Sequence, residues 1–283
     1  MLSVCIVNWN NKDYLRECLV SLAAYPPEGD ELEVIVVDNA SEDGSAQMVR
    51  NEFPKVILIA NGENKGYAEG NNQALNRAQG QTLLLLNPDV VLNKDTLTNA
   101  LSFLKAHPDA GAVGIKQIGA DGKIQRSLRS FPEPGPILWE YVGLSRVFKK
   151  SRVFGAYRMT WFDYERPIEA DQPMGTFLLI PRKAYEDVGA LDTSFPIFFN
   201  DVDWCYRAKA KGWKIYYTPD ASILHYGGSG TKKAPRKAMV RESHQSLLRF
   251  YDKHYRARIV APVYLFIRIA INVSERLASL RAS

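Results

Sequence analysis

The sequence has little cysteine: Cys5, Cys18 and Cys205 lie far apart, are odd in number and form no C-x-x-C pair. This excludes a disulfide framework and a cysteine-built metal site, and fits reduced core thiols of a cytosolic protein. No basic stretch precedes the first apolar run and no small-residue cleavage site follows it, so no secretory signal is expected. No 20–50-residue repeat is present, which argues against a solenoid or propeller. No G-x-G-x-x-G follows the first apolar run, and no G-x-x-x-x-G-K-[ST] occurs anywhere. Phosphate cradled by a Gly-rich loop and a helix N-terminus is therefore not expected. No apolar run reaches the ~20 residues of a comfortable membrane span. The stretch 259–273 is about fifteen residues long and contains Arg268.

Charge is unevenly placed. The net charge is +5. Residues 232–283 hold twelve Lys and Arg against three Asp and Glu, a surplus of nine, which leaves −4 for the rest. A basic, amphipathic tail seeks phosphate, on nucleic acid or on an anionic membrane surface. The acidic body, with no aromatic-basic module, argues against nucleic acid.

The first half alternates strand and helix signals. Leu2–Asn8, Leu32–Asp38, Lys55–Ala60, Thr82–Leu86 and Ala110–Lys116 read as strands. Leu15, Cys18, Leu19 and Leu22 recur at helical spacing, a helix begins near Gly66, and another spans Lys94–His107. Ser41 and Asp43 are placed to open the helix after the second strand. This pattern predicts an α/β fold with a largely parallel sheet covered on both faces. Residues 118–171 read as irregular. Beyond them the sequence predicts a strand at Gly175–Pro181, a helix at Asp201–Gly212, strands at Trp213–Thr218 and Ser222–Tyr226, and a helix at Arg236–His254.

Ligands of open α/β sheets bind beyond the strands' carboxyl ends. Here those ends read Asn8-Trp9-Asn10, Asp38-Asn39-Ala40-Ser41, Asn61-Gly62-Glu63-Asn64-Lys65-Gly66 and Asn87-Pro88-Asp89. Any one of these is an ordinary turn. Four on one edge point to a ligand site. A strand-end carboxylate such as Asp89 can hold a divalent cation that in turn holds a diphosphate. Asn200-Asp201-Val202-Asp203 reads two ways. Asn200 can cap a helix whose first turn favours acids, and a carboxylate held there can accept a proton. His225, ahead of Gly227-Gly228-Ser229-Gly230, is either a hydrogen-bonded structural residue or a metal ligand under a lid.

Seven stretches in order carry a likeness: VCIVNWNNKDYLRECLVSL (4–22), EVIVVDNASEDGS (33–45), NKGYAEGNNQAL (64–75), LLLLNPDVVL (83–92), MGTFLLIPRKAYEDVGALD (174–192), FFNDVDWCYRAKAKGW (198–213) and PDASILHYGGS (219–229). The chain resembles family 2 glycosyltransferases of the GT-A fold, in particular the bacterial rhamnosyltransferase-like branch. The resemblance implies a Rossmann-like, mixed and mostly parallel sheet with helices on both faces and a C-terminal helical extension. It implies a transferase domain over 1–230, with a nucleotide-binding half (1–117) and an acceptor half (118–230), and a basic amphipathic tail over 231–283.

It also implies roles. Asp38, with Asn8, Asn10 and Asn39, would contact the nucleotide, and Asn64, Gly66, Asn71 and Asn87 would flank it. Asp89 and His225 would hold the divalent cation, Mn²⁺ or Mg²⁺. Asp201 would be the catalytic base, and Asp203 a structural acid. Arg129, Gly175, Asn200 and Trp204 are candidate acceptor or phosphate contacts. Two positions depart from the commoner pattern: Asn87 replaces the first acid of D-x-D, and Asn200 replaces a frequent Glu. The implied reaction moves a sugar, with inversion, from a nucleoside-diphosphate donor to a hydroxyl of a cell-surface glycan or lipid-linked precursor. The implied donor is dTDP-rhamnose, with a UDP- or GDP-sugar as the alternative. A non-catalytic nucleotide-sugar-binding protein is the alternative of another class. The implied place is the cytoplasm, peripheral on the inner face of the cell membrane; the sequence leaves the oligomeric state open.

Overall fold

The computed structural model describes residues 1–227 and 235–280. Its first half runs β1 (Leu2–Asn8), α1 (Lys12–Ala24), β2 (Leu32–Asn39), α2 (Ser45–Glu52), β3 (Ile57–Asn61), α3 (Tyr67–Arg77), β4 (Thr82–Leu86), β5 (Val90–Leu92), α4 (Thr96–Ala106) and β6 (Ala110–Ile118). The second half runs β7 (Leu128–Arg129), α5 (Pro134–Tyr141), α6 (Leu144–Val147), β8 (Ile168–Glu169), β9 (Gln172–Pro173), β10 (Phe177–Pro181), α7 (Arg182–Val188), α8 (Asn200–Ala210), β11 (Lys214–His225), α9 (Arg236–His254) and α10 (Ala261–Leu280).

The main sheet has the order β3-β2-β1-β4-β10-β6-β11-β5, with β8 also on β11. β3, β2, β1, β4, β6 and β11 run one way, and β10, β5 and β8 run against them. β1 is buried along its whole length because both its edges and both its faces are covered. Alternate residues of β1 therefore serve two cores. Val4 and Ile6 pack with Leu15, Leu19, Leu97 and Leu101, whereas Cys5 and Val7 belong with Ala68, Leu75, Trp204 and Phe250.

Three differences from the sequence reading have physical causes. The two strands expected at 213–218 and 222–226 are one, β11, whose register against β6 shifts between Thr218 and Ser222. Pro219 lacks an N–H for the ladder, and the Thr218 hydroxyl bonds Asp220 instead, so the strand bulges and resumes. The stretch 118–171 is not wholly irregular. Pro134 opens α5, Gly143 in the left-handed region precedes α6, and Leu128, Phe162, Tyr164 and Tyr217 form a third small core. Finally, α2 begins at Ser45, later than Ser41 and Asp43 suggest, because Asp43 accepts from the backbone N–H of both Lys12 and Ser45 and so serves the starts of two helices.

The basic surplus near the chain end is not confined to a surface arm. Leu247, Phe250 and Tyr251 of α9 are buried in the core on the α3–α8 face. Asp203, fully buried, clasps α9 to α8. It bonds Arg207 at 2.8 Å, Lys253 at 2.7 Å and His254 at 2.7 Å. α10 packs on α9 through Ile271, Tyr264 and Ile267.

Candidate active site

Because six strands share one direction, their carboxyl ends lie on one edge. β10 and β5, which run against them, bring their beginnings to the same edge. That edge thus gathers Asn8, Asp38, Asn39, Asn87, Asp89, Gly175 and His225 from six strands.

At the β1–β2 end, Asn8 donates to Asp38 Oδ1 at 2.8 Å, and the Ser41 N–H donates to Asp38 Oδ2 at 3.0 Å. The Ser41 hydroxyl accepts from the backbone N–H of Asn10, and the Asn10 side chain accepts from Glu42 N–H. Asn8 is fully buried, yet its Oδ1 finds no hydrogen-bond partner among the described residues. A buried carbonyl left open beside a fixed carboxylate is an acceptor waiting for a donor. Asn39 holds the next segment by donating to Gly66 O at 3.0 Å, and it is itself held by Asn61.

Asn64 accepts from Gly66 N–H, turning the chain into α3. Gly66 has φ +85°, and a Cβ there would stand 3.0 Å from Pro196 O, which accepts from Tyr67 and Ala68 N–H. Only glycine meets both demands. Asn71, fully buried, donates to Tyr67 O one turn back, and its Oδ1 has no hydrogen-bond partner among the described residues.

His225 and Asp89 face each other. His225 Nε2 lies 3.5 Å from Asp89 Oδ1, and both side chains are buried. Tyr226 N–H donates to Asp89 O, which fixes the two strand ends together. Gln125 sets the imidazole. Its amide N–H₂ donates to His225 O at 2.8 Å, so its Oε1 is the oxygen 2.7 Å from His225 Nδ1. That carbonyl oxygen can only accept, which puts the ring proton on Nδ1 and leaves a lone pair on Nε2. Nε2 is buried with no hydrogen-bond partner among the described residues. A lone pair beside a carboxylate oxygen is the donor set of a divalent cation such as Mn²⁺ or Mg²⁺, and these residues fit one. Among the described residues no group of three or more His, Cys, Asp or Glu is assembled, so remaining positions would fall to donor oxygens or water.

Asp201, at the start of α8, accepts from Gly175 N–H at 2.7 Å and from Val202 N–H at 2.9 Å. Burial pushes its carboxyl above the ordinary carboxylate value, although those backbone donors hold it down in part. A Cβ on Gly175 would stand 3.0 Å from Asp201 Oδ2, so the close approach needs glycine. The Gly175 carbonyl accepts from Tyr67 OH at 3.2 Å, and that hydroxyl also reaches Asn87 Oδ1 at 3.1 Å. Burial, and then the charge of Asp201, raise the Tyr67 pKa, which keeps the hydroxyl a donor.

Two readings are corrected. Asn200 does not cap α8; Phe199, in the left-handed region at φ 69°, precedes the helix, and the Asn200 amide turns back to donate to Phe195 O and Ile197 O. Trp204 is fully buried with its indole N–H on Gly189 O, so it is a core residue and not an acceptor or phosphate contact. Arg129 Nη1 donates to the carbonyls of Arg126 and Leu128. The proposed lid residues Gly228–Gly230 lie outside the described residues. The motif pattern does not single out Gln125 or Tyr67 as site residues, although Tyr67 lies in the NKGYAEGNNQAL stretch.

The family model for glycosyl transferase family 2 matches residues 3–189. N-acetylglucosaminyl-diphospho-decaprenol L-rhamnosyltransferase of Mycobacterium tuberculosis is 26% identical over 271 residues, covering 90% of this chain and 85% of that protein. Rhamnosyltransferase WbbL of Escherichia coli is 21% identical over 236 residues, covering 80% of this chain and 83% of that one. Among solved structures, the mannosyltransferase PcManGT from Pyrobaculum calidifontis, in complex with GDP-Man and Mn²⁺, superposes with a TM-score of 0.61 at 22% identity, over 99% of this chain and 72% of that one. Staphylococcus aureus TarS in complex with UDP gives a TM-score of 0.57 at 19% identity, over 90% of this chain and 67% of the other. Those structural likenesses show the GT-A fold, and with the family match over most of its length the chain belongs to glycosyl transferase family 2.

Proposed function

We propose that this chain is a metal-dependent inverting glycosyltransferase that moves L-rhamnose from dTDP-rhamnose to a hydroxyl of a lipid-linked or cell-surface glycan precursor. A UDP- or GDP-sugar is the alternative donor, since the structural relatives were solved with GDP-Man and with UDP. The observation that carries the reading is the hydrogen-bonded link Asn87–Tyr67–Gly175–Asp201. It ties Asp201, a buried carboxylate whose pKa burial raises, to the strand end that bears Asp89.

In this reading Asp38 and Asn8 hold the nucleotide base, with Asn10, Asn39, Asn64, Gly66, Asn71 and Asn87 shaping the pocket around it. Asp89 and His225 would hold a divalent cation, whose charge offsets that of the leaving nucleoside diphosphate. Asp201 takes the proton of the acceptor hydroxyl as that oxygen attacks the anomeric carbon. One displacement from the face opposite the leaving group inverts the anomeric centre. Desolvation suits Asp201 to the task, because a raised pKa makes its carboxylate a stronger base.

Peripheral attachment to the inner membrane face is part of the same proposal. α10 exposes Val263, Phe266, Ile269, Val273 and Leu277 in a stripe at helical spacing, with Arg256 and Arg258 close by in sequence. Among the described residues no helix is long and apolar enough to cross a membrane. The deciding experiment offers purified protein dTDP-rhamnose and a panel of UDP- and GDP-sugars with Mn²⁺, Mg²⁺ or EDTA. Metal-dependent release of one nucleoside diphosphate, abolished in Asp89→Ala, is expected. Absence of both release and calorimetric binding for every donor would overturn the proposal.

A further inference from the structure

α5, α6 and the turns that follow border a half-open cavity of about 350 Å³. Its lining carries Arg126, Arg146, Lys149 and Arg158 against a single carboxylate, Glu140, with the hydroxyls of Ser145 and Thr160. Arg158 is paired with Glu140, and Arg126 Nη1 donates to Thr160 O. Among the described residues no carboxylate lies within ion-pair distance of Arg146 or Lys149. Four cations against one acid leave three positive charges without a counter-ion in the wall. Ser145 is 4% exposed, and its hydroxyl has no hydrogen-bond partner among the described residues. A cavity with surplus positive charge and an unsatisfied buried hydroxyl is built for an anion with several oxygens.

Close by in sequence, Leu138 on α5, Val147 on α6, and Val142 and Phe148 just past the ends of those helices are exposed at 43–72%. Exposed apolar side chains beside a cationic cavity match a ligand with a charged head and a hydrocarbon chain. The cavity also adjoins the catalytic edge along the chain. Arg126 follows Gln125, which orients His225, and Ser127 O accepts from Met174 N–H, next to the Gly175 that bonds Asp201.

We propose that Arg126, Ser145, Arg146 and Lys149 form the acceptor subsite for a diphosphate carrying an apolar chain, with that chain lying over Val142, Val147 and Phe148. This rests on the reading that the acceptor is lipid-linked. It assigns the acceptor's phosphates to a place separate from Asp89 and His225, where the donor's diphosphate goes.

The test is calorimetry on the full chain in EDTA with three probes: farnesyl diphosphate, inorganic pyrophosphate and farnesol. Farnesyl diphosphate is expected to bind at least tenfold more tightly than pyrophosphate, and farnesol not detectably. Arg146→Glu with Lys149→Glu should weaken both phosphate probes at least tenfold, and Ser145→Ala several-fold. Both charge reversals are at exposed positions, so an unchanged thermal melt is expected to accompany the loss. Saturating dTDP, UDP or GDP should leave farnesyl diphosphate bound. Equal affinity for pyrophosphate and farnesyl diphosphate would overturn the lipid assignment. Unchanged binding in the double variant, or displacement by a nucleotide, would overturn the subsite. Donor hydrolysis in the wild type separates the two ideas: hydrolysis without binding of either phosphate probe sinks the subsite alone, and binding without donor hydrolysis or donor binding sinks the transferase reading alone.

Discussion

Replacing Asp203 by Asn tests whether the buried clasp between α8 and α9 holds the base in place. The carboxylate is fully buried, so burial alone would raise its pKa, but bonds from His254, Lys253 and Arg207 hold it down to about 2 from an ordinary 3.8. A carboxylate moved that far contributes about 2 kcal/mol at neutral pH. Removing the charge also leaves its cationic partners uncompensated, so the loss should be about 2–4 kcal/mol. In a chain of this size that is a fall in Tm of roughly 3–7 °C. The sign with pH follows from the depressed pKa. The contribution is complete above 3.8 and disappears as pH falls toward about 2. Urea midpoints of wild type and Asp203→Asn should therefore differ clearly at pH 7 and converge in the acid range. Equal midpoints at pH 7, or a gap that persists unchanged below pH 3, would refute the clasp. Because Asp201 sits on the same first turn of α8, the variant's activity should fall at a lower temperature, in step with its melting.

Asp201→Asn should lower kcat by ~10²–10⁴-fold with donor affinity unchanged; an equal loss of donor binding would move Asp201 out of the base role. Because burial raises the Asp201 pKa, wild-type kcat/KM should climb with pH through a value above 3.8, and pH–rate profiles should show that limb missing from the variant. Gln125→Leu removes the acceptor that fixes the His225 tautomer and should weaken Mn²⁺ binding by ~10–100-fold, read by paramagnetic titration. Removal of residues 261–283, or Phe266→Glu with Ile269→Glu, should abolish co-sedimentation with anionic phosphatidylglycerol vesicles, and retained binding would refute the α10 docking face. Truncation at residue 236 is a poor substitute, since it also removes the core side chains of α9.

The candidate site was legible in the sequence wherever it depends on strand ends. Polar residues terminate each apolar run, parallel strands put those ends on one edge, and so Asn8, Asp38, Asn87 and Asp89 could be grouped before any coordinates. His225 and Asp201 were each singled out with a structural reading beside the functional one. Geometry gives Nε2 of His225 no hydrogen-bond partner but Asp89 as a neighbour, and gives Asp201 two backbone donors. Trp204 reads as a candidate contact because it follows Asp203 in the first turn of α8, whereas its burial in the core depends on how α8 packs.

What the sequence determined by itself is periodic and local. The apolar runs, their spacing and the residues that stop them set the α/β class and the polar edge, because side-chain direction in a strand or helix follows from the backbone repeat. What only the tertiary structure decided joins residues distant along the chain. Gln125 meets His225 across 100 positions, Tyr67 meets Gly175 across 108, and Asp203 meets His254 across 51. No periodicity encodes such pairs. They arise because both faces of the sheet must be covered, which brings α8 and α9 onto the face that α3 shares, and because each buried polar group brought there must find a partner or a ligand.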